Sequence, residues 1–136
     1  MKELKHLMYF ERLLDDAHNE LVRQAEAEGD LAIGYTCFHA PEVLLNLGSC
    51  FSVRLRAPHT TSMELATYYM ANNSCEFSRA ILERALEGNY SFLHAMAGVD
   101  VCEANNRAIE NMEIMHAQGA DKDLSLIHIS EPTRQE

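Results

Sequence analysis

Leu31-Ala32-Ile33-Gly34-Tyr35 is a short apolar run between turn signals, the pattern of a buried strand. Pro41-Glu42-Val43-Leu44-Leu45-Asn46-Leu47-Gly48 follows as a short helix. Proline suits its first position, glutamate suits the positive end of its dipole, and Gly48 ends it. Phe51-Ser52-Val53-Arg54-Leu55-Arg56 then alternates with a period of two and reads as a second strand, stopped by Ala57-Pro58. A strand, a helix and a strand in this order predict parallel pairing with the helix packed on the sheet.

The alternation continues on both sides. Upstream, Leu4, Leu7, Met8, Leu14, Ala17, Leu21, Val22 and Ala25 recur at helical spacing and predict one long amphipathic helix over 2–28, with Gly29 just past its end. Downstream, Thr61-Ser62-Met63-Glu64 has the capping-box form and predicts a helix running to about Met70. Asn72-Asn73-Ser74 breaks it, and a helix over 75–86 follows, stopped by Gly88. Ala95-Met96-Ala97-Gly98-Val99 reads as a third strand, and a helix over 103–116 buries Ala108, Ile109, Met112 and Met115. The fold class expected is α/β: a three-layer Rossmann-like domain with a short parallel sheet and a long N-terminal helix.

Composition restricts the partners. The chain has 136 residues, with 21 acidic side chains against 11 Lys and Arg, for a formal charge of −10. No basic stripe is available to neutralise phosphates, which argues against nucleic acid and anionic membranes. A hydrophobic share of 47% with 24% charged residues is that of a folded domain, and one domain at most. Uncharged runs reach only about a dozen residues, short of the roughly 20 that span a bilayer. The N-terminus leads into a charged amphipathic pattern instead of an apolar signal core, so a cytoplasmic location is expected.

The C-terminal end reads differently. Leu124-Ser125-Leu126-Ile127-His128-Ile129-Ser130-Glu131-Pro132-Thr133-Arg134 follows a Gly-Ala-Asp-Lys-Asp break and does not continue the domain's periodicity. It resembles a sequencing-library transposase adapter translated in frame. The expectation is a partial α/β domain over 1–123, cut from a longer subunit, and a non-native tail over 124–136 that packs against nothing specific.

Four cysteines remain: Cys37, Cys50, Cys75 and Cys102. None forms a CxxC pair, and a disulfide framework does not suit a cytosolic chain. Four small buried hydrophobes is one reading. The other comes from position. Cys37 and Cys102 lie just past strand ends, Cys75 opens a helix, and Cys102 immediately precedes one. In an open parallel sheet, strand ends and helix starts share the rim where ligands bind. Three thiols there suit an iron–sulfur cluster with one iron left open, or zinc with His39 or His59 as a fourth ligand. Cys50 begins a strand at the opposite rim and is expected in the core.

Gly34-Tyr35-Thr36-Cys37-Phe38-His39-Ala40-Pro41-Glu42 resembles the opening motif of the 2-hydroxyacyl-CoA dehydratase / benzoyl-CoA reductase family, whose members include the 2-hydroxyglutaryl-CoA dehydratase D-component type of subunit. Val53-Arg54-Leu55 resembles the strand after it. Asn73-Ser74-Cys75-Glu76-Phe77-Ser78-Arg79 is similar to the second motif, where a cysteine opens a helix with arginine four residues on. Val101-Cys102-Glu103-Ala104-Asn105-Asn106-Arg107 is similar to the third. The resemblance runs in order from about Tyr9 to Met115. Phe38 and His39 depart from it, standing where a small or hydroxyl residue and an aromatic are common.

The resemblance implies that Cys37, Cys75 and Cys102 ligate a 4Fe–4S cluster. It implies a second related subunit in a heterodimer and a separate ATP-dependent iron–sulfur activator that injects one electron. The substrate class is an acyl-CoA thioester. The reaction is loss of water from a 2-hydroxyacyl-CoA through a ketyl radical, in an oxygen-sensitive enzyme of which this chain alone is inactive. Glu42 is the candidate proton-handling residue, though an acid at a helix start also serves the dipole. Arg54 and Arg56 are candidates for CoA phosphates. The alternatives are a benzoyl-CoA-reductase-type subunit and a non-catalytic, metal-stabilised electron-transfer or scaffold domain.

Overall fold

Parallel pairing organises the chain as the alternation requires. β1 (Leu31–Tyr35) pairs with β2 (Cys50–Arg54) from Leu31 opposite Cys50 to Tyr35 opposite Arg54, and with β3 (Ala95–Val99) on its other side. The computed structural model describes residues 2–119 and 125–129, and Ser125–Ile129 forms β4, parallel to β3. The sheet order is β2-β1-β3-β4. The chain thus steps from β1 to one neighbour, crosses back and continues on the other side. Loops leaving β1 and β3 therefore part at a topological switch point.

Among the described residues, six helices accompany the strands: α1 (Lys2–Asp15), α2 (Glu20–Ala27), α3 (Glu42–Leu45), α4 (Glu64–Thr67), α5 (Glu76–Leu86) and α6 (Glu103–Ala117). Strand alternation divides the core in two. The larger part joins Ala32, Val53, Leu55 and Met96 to Val22 of α2, Ile81 and Leu82 of α5, and Ala108, Ile109 and Met112 of α6. The smaller part holds Tyr35, Ala97, Ala40 and Leu45, with Leu45 supplied by α3. This is a small Rossmann-like α/β domain. No helix among the described residues is long and apolar enough to cross a membrane.

Three expectations need correction. The single N-terminal helix is two helices, because Asn19 caps a new start. Its side-chain oxygen accepts from Leu21 N and Val22 N, while Asp16 takes the N–H of His18. Short polar side chains compete here with the continuing helical ladder. On α1 the apolar residues Leu4, Leu7, Met8, Phe10 and Leu14 stay exposed.

The capping box at Thr61–Glu64 does not form. Met63 occupies the N-cap position of α4 without a side-chain cap bond, and the buried carboxylate of Glu83 on α5 takes the N–H groups of Leu65 and Ala66 instead. That distant acceptor suffices for a helix of one turn.

The segment over 124–136 was expected to stay outside the fold. Ser125–Ile129 instead takes the place beside β3 that follows α6 in a repeating strand–helix pattern. Backbone pairing of this kind asks for an extended chain and not for a particular sequence.

Candidate functional site at the sheet switch point

Tyr35 ends β1 in the smaller core and is only 4% exposed. Its hydroxyl donates to Oε1 of Glu42, the first residue of α3. The residue between strand and loop, Thr36, is buried, and Cys37 after it is half-buried. The carbonyl of Cys37 accepts from Ala40 N at 3.0 Å, which turns the loop back toward α3. Phe38 stands 70% exposed, with the His39 ring tilted against it at 4.0 Å.

The loop after β3 approaches the same crevice from the other face. Cys102 is the N-cap of α6, in extended backbone, and its sulfur accepts from Asn105 N at 3.4 Å. The arrangement is that of a serine or aspartate cap, with sulfur as acceptor. Asn105 then reaches across the switch point: Thr36 Oγ1 donates to its Oδ1 at 2.8 Å. The loops of Cys37 and Cys102 are tied through that bond, although 69 positions separate its partners.

Cys75 reaches this rim by a different route. α5 is the return crossover between β2 and β3, so its N-terminus lies at the strands' C-terminal end. Cys75 is the N-cap of α5 and is exposed. Its thiol is held below the ordinary range, chiefly by the Ser78 backbone N–H. That N–H is directed at the sulfur without closing a full cap bond. The Ser78 hydroxyl and the Phe77 N–H act in the same sense; partial burial and the Glu76 charge oppose them. One turn on, Arg79 fixes the preceding loop. It donates to Asn72 O at 3.3 Å, Asn72 Oδ1 at 3.1 Å and Thr67 Oγ1 at 3.0 Å.

The three cysteines therefore share a rim, and Cys50 opens β2 at the other end of the sheet, half-buried. Among the described residues no group of three or more His, Cys, Asp or Glu side chains stands together tightly enough to hold a metal ion. His59, considered as a fourth ligand, pairs with Asp15 at 3.3 Å through Nε2. Arg54 and Arg56 border an open hollow of about 470 Å³ between β2 and the α1–α2 turn. A more enclosed apolar hollow of about 170 Å³ lies at the far rim between the ends of α5 and α6, lined by Leu86, Leu93, Met96 and Met112, and contains no thiol.

The donor types are those that a thiophilic metal group takes, although the described residues do not bring them into one coordination sphere. The set supplies three thiols, two of them at helix N-cap positions, with no fourth cysteine at that rim. Two buried side-chain nitrogens without a partner among the described residues belong to their sequence neighbours: Arg79 Nε, one turn after Cys75, and Asn105 Nδ2, one turn after Cys102. A buried donor left unpaired costs about 1–3 kcal/mol, so such groups call for an explanation. Sequence reading assigned no role to Thr36 or Asn105. The available signal was a pair of asparagines opening a helix, where short polar side chains serve local bonds.

A family model described as 2-hydroxyglutaryl-CoA dehydratase, D-component, matches residues 37–136. No curated protein matches the chain.

Proposed function

The chain belongs to the 2-hydroxyglutaryl-CoA dehydratase D-component family, and from that premise we propose that it is the cluster-binding part of a 2-hydroxyacyl-CoA dehydratase subunit. The reaction is loss of water from a 2-hydroxyacyl-CoA thioester by a radical route. A second related subunit completes the enzyme, and a separate ATP-dependent iron–sulfur activator supplies the electron. The observation that carries the reading is the Thr36–Asn105 bond, which ties the loops of Cys37 and Cys102 together at the switch point.

Cys37, Cys75 and Cys102 would hold a 4Fe–4S cluster. When bound, a cluster with one iron lacking a protein ligand supplies a Lewis-acidic iron and a one-electron carrier. The chain's own residues prepare its surroundings. The N–H of Asn105 steadies the Cys102 sulfur, and Ser78 favours thiolate at Cys75. Glu42 holds or releases a proton at its carboxylate, which the Tyr35 hydroxyl orients. The exposed Phe38 and Val43 offer an apolar wall to an acyl chain. Arg54 and Arg56 are available to CoA phosphates.

Anaerobic reconstitution of the full chain with iron and sulfide tests the assignment. Wild type should acquire a brown chromophore with acid-labile sulfide. Cys37→Ala, Cys75→Ala and Cys102→Ala should each abolish it, and Cys50→Ala should keep it. Retention of the chromophore by any of the first three, or preferential uptake of zinc, overturns the reading.

A further inference from the structure

We propose that the outward face of α1 is a docking surface for an amphipathic helix of another protein, one whose apolar seam carries a lysine or arginine opposite Glu11. The inference is independent of the cluster reading. At about 100° per residue, Leu4, Leu7, Glu11 and Leu14 fall within a sector of about 80°. Met8 and Phe10 flank this sector on its two sides, and Tyr9 and Leu13, which are half-buried, lie opposite it. The three leucines of the sector are between 53% and 65% exposed. α1 thus turns its apolar stripe away from the domain, the reverse of a helix that packs on its own core.

The spacing of Leu4, Leu7, Glu11 and Leu14 is that of a helix-pairing seam, with a carboxylate at one seam position. Large apolar side chains gathered and exposed in this way mark an interaction surface. Glu11 decides what can cover it. A partner that closes on the seam takes the carboxylate out of water, and a buried charge is costly unless paired. A second copy of the chain brings no cation. Antiparallel pairing sets Glu11 against Leu7 of the other copy, and parallel pairing sets it against Glu11 itself. The formal charge of −10 adds repulsion between copies. A lipid surface would bury the same carboxylate among acyl chains, and the helices that bind one keep such charge off their apolar face. A lysine or arginine in the facing seam answers Glu11, while apolar neighbours on the same partner helix cover Leu4, Leu7 and Leu14.

The experiment uses the full chain and two synthetic amphipathic helices of three heptads, with leucine along the seam and neutral polar residues elsewhere. The helices differ at one central seam position, which is lysine in the first and glutamate in the second. Fluorescence anisotropy measures the binding of each labelled helix, with circular dichroism of the chain as the folding control. The variants are Glu11→Lys and the double substitution Leu7→Gln with Phe10→Gln. All three side chains are exposed, so the fold does not rest on them. Sedimentation velocity of wild type alone, and its flotation with vesicles of phosphatidylcholine and phosphatidylglycerol, test the other occupants.

Wild type should bind the lysine helix on the order of tenfold or more tightly than the glutamate helix, the effect of one close charge pair across an interface. Glu11→Lys should reverse that order. The Leu7→Gln and Phe10→Gln chain keeps every charge and should lose both helices, whereas unspecific attraction to an acidic protein would survive in it. Wild type should sediment as a monomer and leave the vesicles unbound. Equal affinity for the two helices, no reversal in Glu11→Lys, or no binding of either helix overturns the proposal. A dimer formed by wild type alone would assign the face to a second copy, and flotation with the vesicles would assign it to lipid; each overturns the proposal as well. None of these results bears on cluster uptake, so this inference and the reading under Proposed function stand or fall separately.

Discussion

The carboxylate of Glu83 on α5 accepts the backbone N–H of Ala66 at 2.6 Å and that of Leu65 at 3.2 Å, so a buried acid on one helix caps the start of another. α4 has one turn and no local cap, so its first N–H groups depend on this contact. The same contact anchors the segment that leads through Asn72 to Cys75.

Replacing Glu83 by alanine should therefore cost about 2–3 kcal/mol, the value of hydrogen bonds to a charged acceptor whose donors are then left without it. Urea unfolding measures it. Glu83→Gln retains one acceptor oxygen and should lose roughly half as much. Hydrogen exchange at Leu65 and Ala66 should accelerate in both variants. Unchanged protection there would show that another acceptor caps α4.

Asn19 is the second local device with a measurable value. Its side chain accepts from Leu21 N at 3.0 Å and Val22 N at 3.2 Å, and its Nδ2 donates to Leu13 O at 3.1 Å. It thus starts α2 and closes the end of α1. Asn19→Ala should destabilise the domain by about 1 kcal/mol, the usual loss of such a cap. Far-ultraviolet circular dichroism should show a small gain in helicity, since the apolar periodicity runs through the break. A loss of helical signal would mean that the break is imposed by packing and not by Asn19.

These two residues mark where sequence reading stopped. Leu31–Tyr35 and Ala95–Val99 were legible because apolar runs between turn signals have few other outcomes in an α/β chain. The helix starts at Cys75 and Cys102, and hence the shared rim, followed from strand–helix alternation. The break at Asn19 was not legible, since a 3.6-residue period is blind to one capping side chain inside it. The Glu83 cap and the Thr36–Asn105 bond join residues far apart in the chain, and neither residue's neighbours carry a pattern that names its partner. Setting 124–136 aside rested on its identity as a string of residues, whereas an edge position beside β3 requires only an extended backbone.

Gly34 tests how closely the larger core is fitted. A Cβ at this position would stand 2.6 Å from Leu93 Cδ1 and 3.3 Å from both methyl carbons of Leu55. Both leucines are buried, so neither methyl can turn into solvent. Gly34→Ala should cost about 1–3 kcal/mol through overpacking. Shortening Leu93 to valine in the same chain should recover part of that loss, giving a non-additive pair of at least about 0.5 kcal/mol. Strict additivity would show that the sheet yields by moving its backbone.

Tyr90 gives the domain an alkaline limit. It is buried, and its hydroxyl donates to Arg56 O at 2.9 Å, beneath the end of β2. Burial pushes its pKa well above the ordinary tyrosine value; the charge of Glu87 adds to this and that of Arg84 opposes it. The folded state thus binds the phenolic proton more tightly than the unfolded state. Tyr90 leaves stability unaffected by pH below the unfolded value of about 10, and stability falls as pH rises above it. The slope from this group approaches about 1.4 kcal/mol per pH unit until the folded value is reached. Tyr90→Phe has no proton to lose. At neutral pH it should be about 1 kcal/mol less stable for want of the bond to Arg56 O. Between pH 10 and 11 its stability should decline less steeply than that of wild type, so the two urea midpoints converge. Parallel decline of both proteins over that range would show that the hydroxyl reaches water in the folded state and that other groups set the alkaline limit.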